Sequence, residues 1–238
     1  MRQQHLTVSR TARFWTIGEP GPAVRQVWFV LHGYGQLAGR FITRFRVLED
    51  ERRVIVAPEA LNRFYLDGGS GPHTAQSRVG ATWMTREDRL TEIEDYIHYL
   101  DALCDHVFDE LQHTKRTEGI EDGREAAGIE LIVLGFSQGV AAAARWASRT
   151  QQRVDRLVLW AGGFPPELEP APGLFREARV TFVRGQQDAF ATGGVDALRA
   201  RIEAGGMPYE EIVFDGAHEL DDTVLLRVAG ALPASGPG

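Results

Sequence analysis

The stretch Ile129-Glu130-Leu131-Ile132-Val133-Leu134-Gly135-Phe136-Ser137-Gln138-Gly139-Val140, continued by the alanines 141 to 144, decides how the chain is read. Its first six residues are a mostly apolar run of strand length, and the small residues after Ser137 predict a helix reaching at least Trp146. Between them lies Gly-x-Ser-x-Gly, the pattern of a strand-to-helix turn that presents a serine at the end of a sheet. The turn forces the serine backbone into strain, and only flanking glycines let strand and helix approach closely enough to hold it. A plain tight turn with an incidental serine is the alternative reading of these letters.

Outward from this turn, short apolar and β-branched runs alternate with helical periodicity, which predicts a mainly parallel sheet wrapped by helices. The parallel strands are expected at Val27–Leu31, Val54–Ala57, Ile129–Leu134, Arg156–Trp160, Val180–Arg184 and Glu211–Phe214. Leu6–Val8 and Arg13–Ile17 are too close for a helical crossover and are expected to form an antiparallel edge hairpin, giving eight strands. From Arg86 to Gln112, Leu90, Ile93, Ile97, Leu100, Cys104, Val107 and Leu111 recur every three or four residues as the buried stripe of a long helix. A further helix is expected over about Gly194 to Ala204, ended by Gly205 and Gly206. Glu59 to Ala81, with Gly68, Gly69, Gly71 and Pro72, is read as a loop over one end of the sheet. Thr114–Gly128 is read as a solvated loop. Residues 1–232 form one domain on this reading, with a disordered tail at 233–238.

Composition excludes several classes. With 26 Lys and Arg against 33 Asp and Glu, the formal charge is −7, and there is no basic run to neutralise phosphates, so nucleic acid is not an expected partner. One cysteine, Cys104, provides neither a disulfide nor a cysteine-based metal site. No apolar run has the length of a signal sequence or a membrane span, so a cytoplasmic protein without membrane insertion is expected.

A serine hydroxyl needs a base, and the base needs a carboxylate to orient it. His98, His106 and His113 belong to the long helix, and His5 and His73 lack partner patterning. His218 follows the last predicted strand in Phe214-Asp215-Gly216-Ala217-His218, at the same sheet end as Ser137. Asp188 follows Val180–Arg184 at that end and is favoured as the carboxylate over Asp215, Asp221 and Asp222, which lie too close to His218 along the chain. Developing oxyanion charge calls for backbone donors, expected at Gln138 and at Tyr34 in Leu31-His32-Gly33-Tyr34-Gly35. The same segment, Gly33-Tyr34-Gly35-Gln36-Leu37-Ala38 with Glu59 after the next strand, also fits a dinucleotide fingerprint, but that reading leaves the serine turn and His218 unexplained.

These residues resemble the phospholipase/carboxylesterase branch of the α/β-hydrolases, which includes acyl-protein thioesterases. The resemblance spans roughly Val27 to Leu226 and rests on Leu31–Gly35, Pro58-Glu59, Trp83 with the acidic helix after it, Gly135–Gly139, Asp188 and His218. It implies an α/β-hydrolase fold and a serine esterase with Ser137, Asp188 and His218 as triad and Tyr34 and Gln138 as oxyanion donors; the loops after Glu59 and Thr114 are too short for an inserted cap domain, so none is expected. No cofactor and no metal are implied, and the expected partner is a small-molecule ester or thioester. Val140, Ala217 and Phe190-Ala191-Thr192 depart from the family's usual residues and bear on loop packing near the acid and base. The substrate pocket is expected among Tyr34, Phe64, Tyr65, Trp83 and Phe164, open enough for small to medium acyl groups. A non-catalytic binding protein on the same scaffold, and a lactone or peptide hydrolase using the same residues, are the competing functions, and a homodimer is the default assembly.

Overall fold

The computed structural model describes residues 1–67, 72–117, 128–190 and 195–231, with the side chains at 195 and 196 excluded. Its elements run β1 (Phe14–Ile17), β2 (Gln26–Leu31), α1 (Ala38–Phe41) continuing into a 3₁₀ helix (Ile42–Leu48), and β3 (Arg53–Pro58). Next come β4 (Asn62–Tyr65), β5 (Val79–Thr82), α2 (Arg89–Thr117), β6 (Glu130–Phe136), α3 (Gln138–Arg149) and β7 (Arg156–Trp160). The chain closes with β8 (Arg179–Gly185), α4 (Val195–Gly205), β9 (Glu210–Phe214) and α5 (Asp222–Val228).

Among the described residues the main sheet has seven strands in the order β1-β3-β2-β6-β7-β8-β9, all parallel except β1. The expected eighth strand at Leu6–Val8 is absent. Leu6 and Val8 are 86% and 72% exposed, so the run gains little burial that would hold it as a strand. The expected hairpin is absent too: β1 instead pairs antiparallel with β3, from Phe14 opposite Pro58 to Ile17 opposite Ile55.

The central strands are apolar on both faces, as strands covered by helices on either side must be. Along β2, Val27, Phe29 and Leu31 enter one core while Trp28 and Val30 enter the other. The first core is covered by α2, α3 and α4, and the second by α1, the 3₁₀ helix and α5. In α3, Ala142, Ala143 and Ala144 are buried, and their small side chains bring this helix close to the sheet. Trp146 packs on Phe29 at 5.2 Å and donates its indole N–H to Asp101 of α2 at 2.7 Å, fixing the angle between the two helices.

The stretch from Glu59 to Ala81, expected to be a loop, instead contains an antiparallel ribbon of β4 and β5. Helix α2 begins at Arg89 rather than Arg86 and runs to Thr117, into the expected loop at Thr114–Gly128. The rest of that loop up to residue 127, the glycines 68, 69 and 71, the helix start at Gly194 and the tail at 233–238 lie outside the described residues. No helix among those residues is long and apolar enough to cross a membrane.

Candidate active site

Ser137 stands between β6 and α3 with φ 54° and ψ −117°, a left-handed backbone that costs a non-glycine residue energy. The neighbouring packing explains why the chain tolerates this strain. A Cβ on Gly135 would lie 2.3 Å from Gly139 O, one on Gly139 would lie 2.2 Å from Leu31 O, and one on Gly162 would lie 2.2 Å from Ser137 O. The three glycines thus allow backbones to touch around the serine, and the Ser137 N–H is tied to Trp160 O at 2.9 Å.

Asp188 and His218 come from the turns after β8 and β9. The two turns are zipped together by Gln186 N–H to Phe214 O and Gln187 N–H to Gly216 O, both 2.9 Å. His218 Nδ1 lies 2.9 Å from Asp188 Oδ2, and the other carboxylate oxygen accepts the Phe190 N–H at 2.9 Å. The Asp188 carboxylate is fully buried while the imidazole is 23% exposed. The imidazole sits between the rings of Phe136 and Phe190, at 5.0 and 4.7 Å. With Nδ1–H donated to Asp188, the Nε2 lone pair is left as the basic position. The rival carboxylates are engaged elsewhere: Asp215 accepts from Gln187, Asp221 caps α5 at Val224 N–H, and Asp222 faces Arg44 at 3.6 Å.

The turn after β2 is held on both sides. Gly33 N–H donates to Gln36 Oε1 at 2.8 Å, Gly35 N–H to Ala81 O at 2.9 Å and Gln36 N–H to Gly33 O at 3.2 Å. Among the described residues, the Tyr34 N–H is the amide of this turn with no protein acceptor. The Gln138 N–H, first in α3, has no acceptor within its helix. The Gln138 side chain bonds Thr82 Oγ1, Trp83 N–H and Met84 O, all within 3.1 Å, joining the start of α3 to the end of β5.

His32 underlies the Tyr34 amide. It is fully buried, and burial lowers its pKa despite its bond to Gly33 and the charge of Glu59, so the ring is neutral. Ala60 N–H donates to its Nε2 at 3.1 Å, so Nδ1 carries the proton and donates to Gly33 O at 2.8 Å. Gly33 C=O and Tyr34 N–H belong to one planar trans peptide and point in opposite directions. Holding the carbonyl toward His32 therefore aims the Tyr34 N–H the other way. The clue to this in the sequence was the polar His32 after a fully apolar strand.

Ser137, Gln138, His218 and Tyr34 line one cavity of about 690 Å³, which extends between β7, β8 and β9 on one side and α4 on the other. Of the expected pocket residues, Tyr34 and Phe164 line it. Phe64 packs on Tyr34 at 5.1 Å outside it, and Tyr65 stacks on His73 at 3.6 Å on the exposed ribbon. Trp83 is 2% exposed, donates to His32 O at 2.8 Å and packs against Tyr96 in the interior. Phe182, Ile202 and Tyr209, which the sequence reading did not place in the pocket, supply much of the apolar wall. Among the described residues no group of three or more His, Cys, Asp or Glu is positioned for a metal ion. Glu59, the acidic residue of the dinucleotide fingerprint, is buried and bound by Arg13 at 2.6 Å and Arg63 at 3.3 Å.

Solved structures resemble this arrangement across nearly the whole chain. A carboxylesterase from Mesorhizobium loti is 16% identical with TM-score 0.60, covering 93% of this chain and 94% of its own. The Bacillus cereus carboxylesterase is 12% identical with TM-score 0.62, covering 92% of each chain. The chain has the α/β-hydrolase fold. A phospholipase/carboxylesterase from Dyadobacter fermentans, 19% identical, gives TM-score 0.56 over 94% of this chain and 97% of its own. No protein-family model and no curated protein matches the chain by sequence. The β4–β5 ribbon is too small to count as a cap domain, in keeping with the architecture expected from sequence.

Proposed function

We propose that the chain is a serine hydrolase that cleaves carboxylic esters or thioesters of small to medium acyl groups through an acyl-enzyme. One observation carries this reading: the strained Ser137 and the Asp188-bound His218 open onto the same cavity. In the proposed reaction His218 Nε2 takes the Ser137 hydroxyl proton as the oxygen attacks the substrate carbonyl. The negative oxygen is held by the Tyr34 and Gln138 N–H groups, each such donor being worth about 3 to 4 kcal/mol. His218 then returns its proton to the departing alkoxide or thiolate, leaving the acyl group on Ser137 Oγ. Water, deprotonated by the same nitrogen, attacks the acyl-enzyme and releases the carboxylic acid. Asp188 keeps the imidazole in the required tautomer and stabilises its cation throughout. A cytoplasmic setting is part of the proposal, in keeping with the single, buried Cys104.

Intact-mass analysis after treatment with a fluorophosphonate tests the reading, since the probe reacts with a serine activated by its base and oxyanion donors. One adduct on the wild type and none on Ser137→Ala, with ester turnover lost and Tm changed by no more than about a degree, is the expected result. A folded wild-type protein that takes no adduct would overturn the reading in favour of a binding protein.

A further inference from the structure

The cavity that Ser137 opens onto carries charged side chains in an otherwise largely apolar wall. Arg184 of β8, Arg199 and Arg201 of α4, and Glu211 of β9 all line it. Glu211 is shared: Arg184 Nε donates to one carboxylate oxygen at 2.9 Å, and Arg199 donates to the other through Nε at 3.1 Å and a terminal nitrogen at 2.6 Å. Burial opposes ionisation of Glu211, but these bonds outweigh it and lower its pKa, so it is charged.

Arg201 is held differently. One terminal nitrogen donates to Leu168 O at 2.9 Å and Pro166 O at 3.3 Å, and the guanidinium carbon lies 5.9 Å from the centre of the Phe164 ring. Two carbonyls and an aromatic face fix the guanidinium in the cavity wall. Its Nε–H and the two N–H groups of its other terminal nitrogen have no protein acceptor among the described residues, and no carboxylate among them pairs with it. A planar cation already oriented in this way loses little freedom on accepting a further group, and its free N–H groups can donate a charge-assisted hydrogen bond to a carboxylate.

We infer that the group filling this cavity ends in a carboxylate bound by Arg201, so that the favoured substrates are esters or thioesters of dicarboxylic acids. The inference rests on the hydrolase reading and specifies its substrate class. The apolar wall receives the methylene chain, and Arg201 receives the far carboxylate. The formal charge of −7 repels such a substrate at a distance, but at physiological salt this repulsion is screened beyond about 8 Å and does not reach into the cavity.

The kinetic test compares p-nitrophenyl hemiesters of glutaric to suberic acid with the same esters methylated at the free carboxylate. The wild type is expected to favour the free acid in kcat/KM by about 10- to 100-fold at one chain length, as a charge-assisted hydrogen bond implies. Arg201→Met is expected to abolish this ratio and Arg201→Lys to restore part of it. A wild type preferring the methylated esters, or a ratio unchanged in Arg201→Met, would overturn the inference while leaving the hydrolase reading intact. Calorimetric titration with the free diacids and with monoacids of equal length is independent of turnover. Tighter diacid binding, lost in Arg201→Met, upholds the inference even if no ester is cleaved, and equal binding overturns it.

Discussion

Replacing His32 by Leu separates two roles of one buried ring. The substitution roughly conserves volume but removes the Nδ1–H bond to Gly33 O and the acceptor of the Ala60 N–H. The first loss costs about 1 kcal/mol, and the second leaves a buried donor unsatisfied at about 1 to 3 kcal/mol. The sum, about 2 to 4 kcal/mol, corresponds to a Tm decrease of roughly 4 to 16 °C for a chain of this size. Gly33 O would keep only the 3.2 Å bond from Gln36 N–H, so the peptide that carries the Tyr34 N–H could rotate. Deleting a whole oxyanion donor costs about 10² to 10³ in kcat, and loosening one is expected to cost about 10-fold or more. Calorimetry and ester kinetics well below the variant's Tm measure the two effects separately. A lower Tm with kcat unchanged would refute the positioning argument and leave His32 a purely structural residue. An unchanged Tm would refute the hydrogen-bond reasoning itself.

Three other substitutions test separate parts of the site and its supports. Asp188→Asn is expected to lower kcat by about 10⁴ at neutral pH while the protein remains folded, and a loss under tenfold in steady-state kinetics would count against Asp188 as the orienting carboxylate. Gly139→Ala drives a Cβ to 2.2 Å from Leu31 O and 2.8 Å from His32 O, both backbone atoms, and is expected to cost about 3 kcal/mol or more in urea unfolding. For Glu167, burial opposes ionisation, yet hydrogen bonds from Arg145 and Arg89 hold its pKa down at about 2. A lowered carboxylate pKa stabilises the fold above the ordinary value of 4.5 and loses that contribution as pH falls toward 2. The stability gap between wild type and Glu167→Gln should therefore be widest above pH 4.5 and narrow steadily below it, and a gap independent of pH would refute the assignment.

The strands of the sheet were legible because most are continuous apolar runs, the direct signature of burial on both faces. Their predicted and observed ends differ by at most two residues, and Arg156–Trp160 coincides. Leu6–Val8 misled because three β-branched or apolar letters resemble a strand whether or not a partner exists, and here β3 had already captured β1. The ribbon of β4 and β5 was hidden by glycine-rich sequence between its strands, although Asn62-Arg63-Phe64-Tyr65 alternates in burial as a two-faced strand does. Candidate chemistry was readable where a turn follows a strand, since the sheet brings all such turns to one end. Apart from Tyr34 and Phe164 the cavity was not, because much of its wall comes from Phe182, Arg184, Arg199, Arg201 and Ile202. These positions become a wall only through how α4 lies across β8 and β9, which is a matter of tertiary packing rather than local pattern.

Trp160 deserves to be considered as a gauge. Its carbonyl oxygen receives the Ser137 N–H at 2.9 Å, and its indole N–H reaches Glu219 O, next to His218, at 2.8 Å. The Ser137 turn and the His218 turn are thus pinned to opposite ends of one buried, rigid residue, and the span of an indole sets their separation. No shorter side chain could keep both pins, and a tryptophan is also an optical probe. In a variant that keeps Trp160 alone of the five tryptophans, its emission and the rate of ester turnover should therefore change together under pressure or mild denaturant, so that light from one residue reports the gap between the two turns.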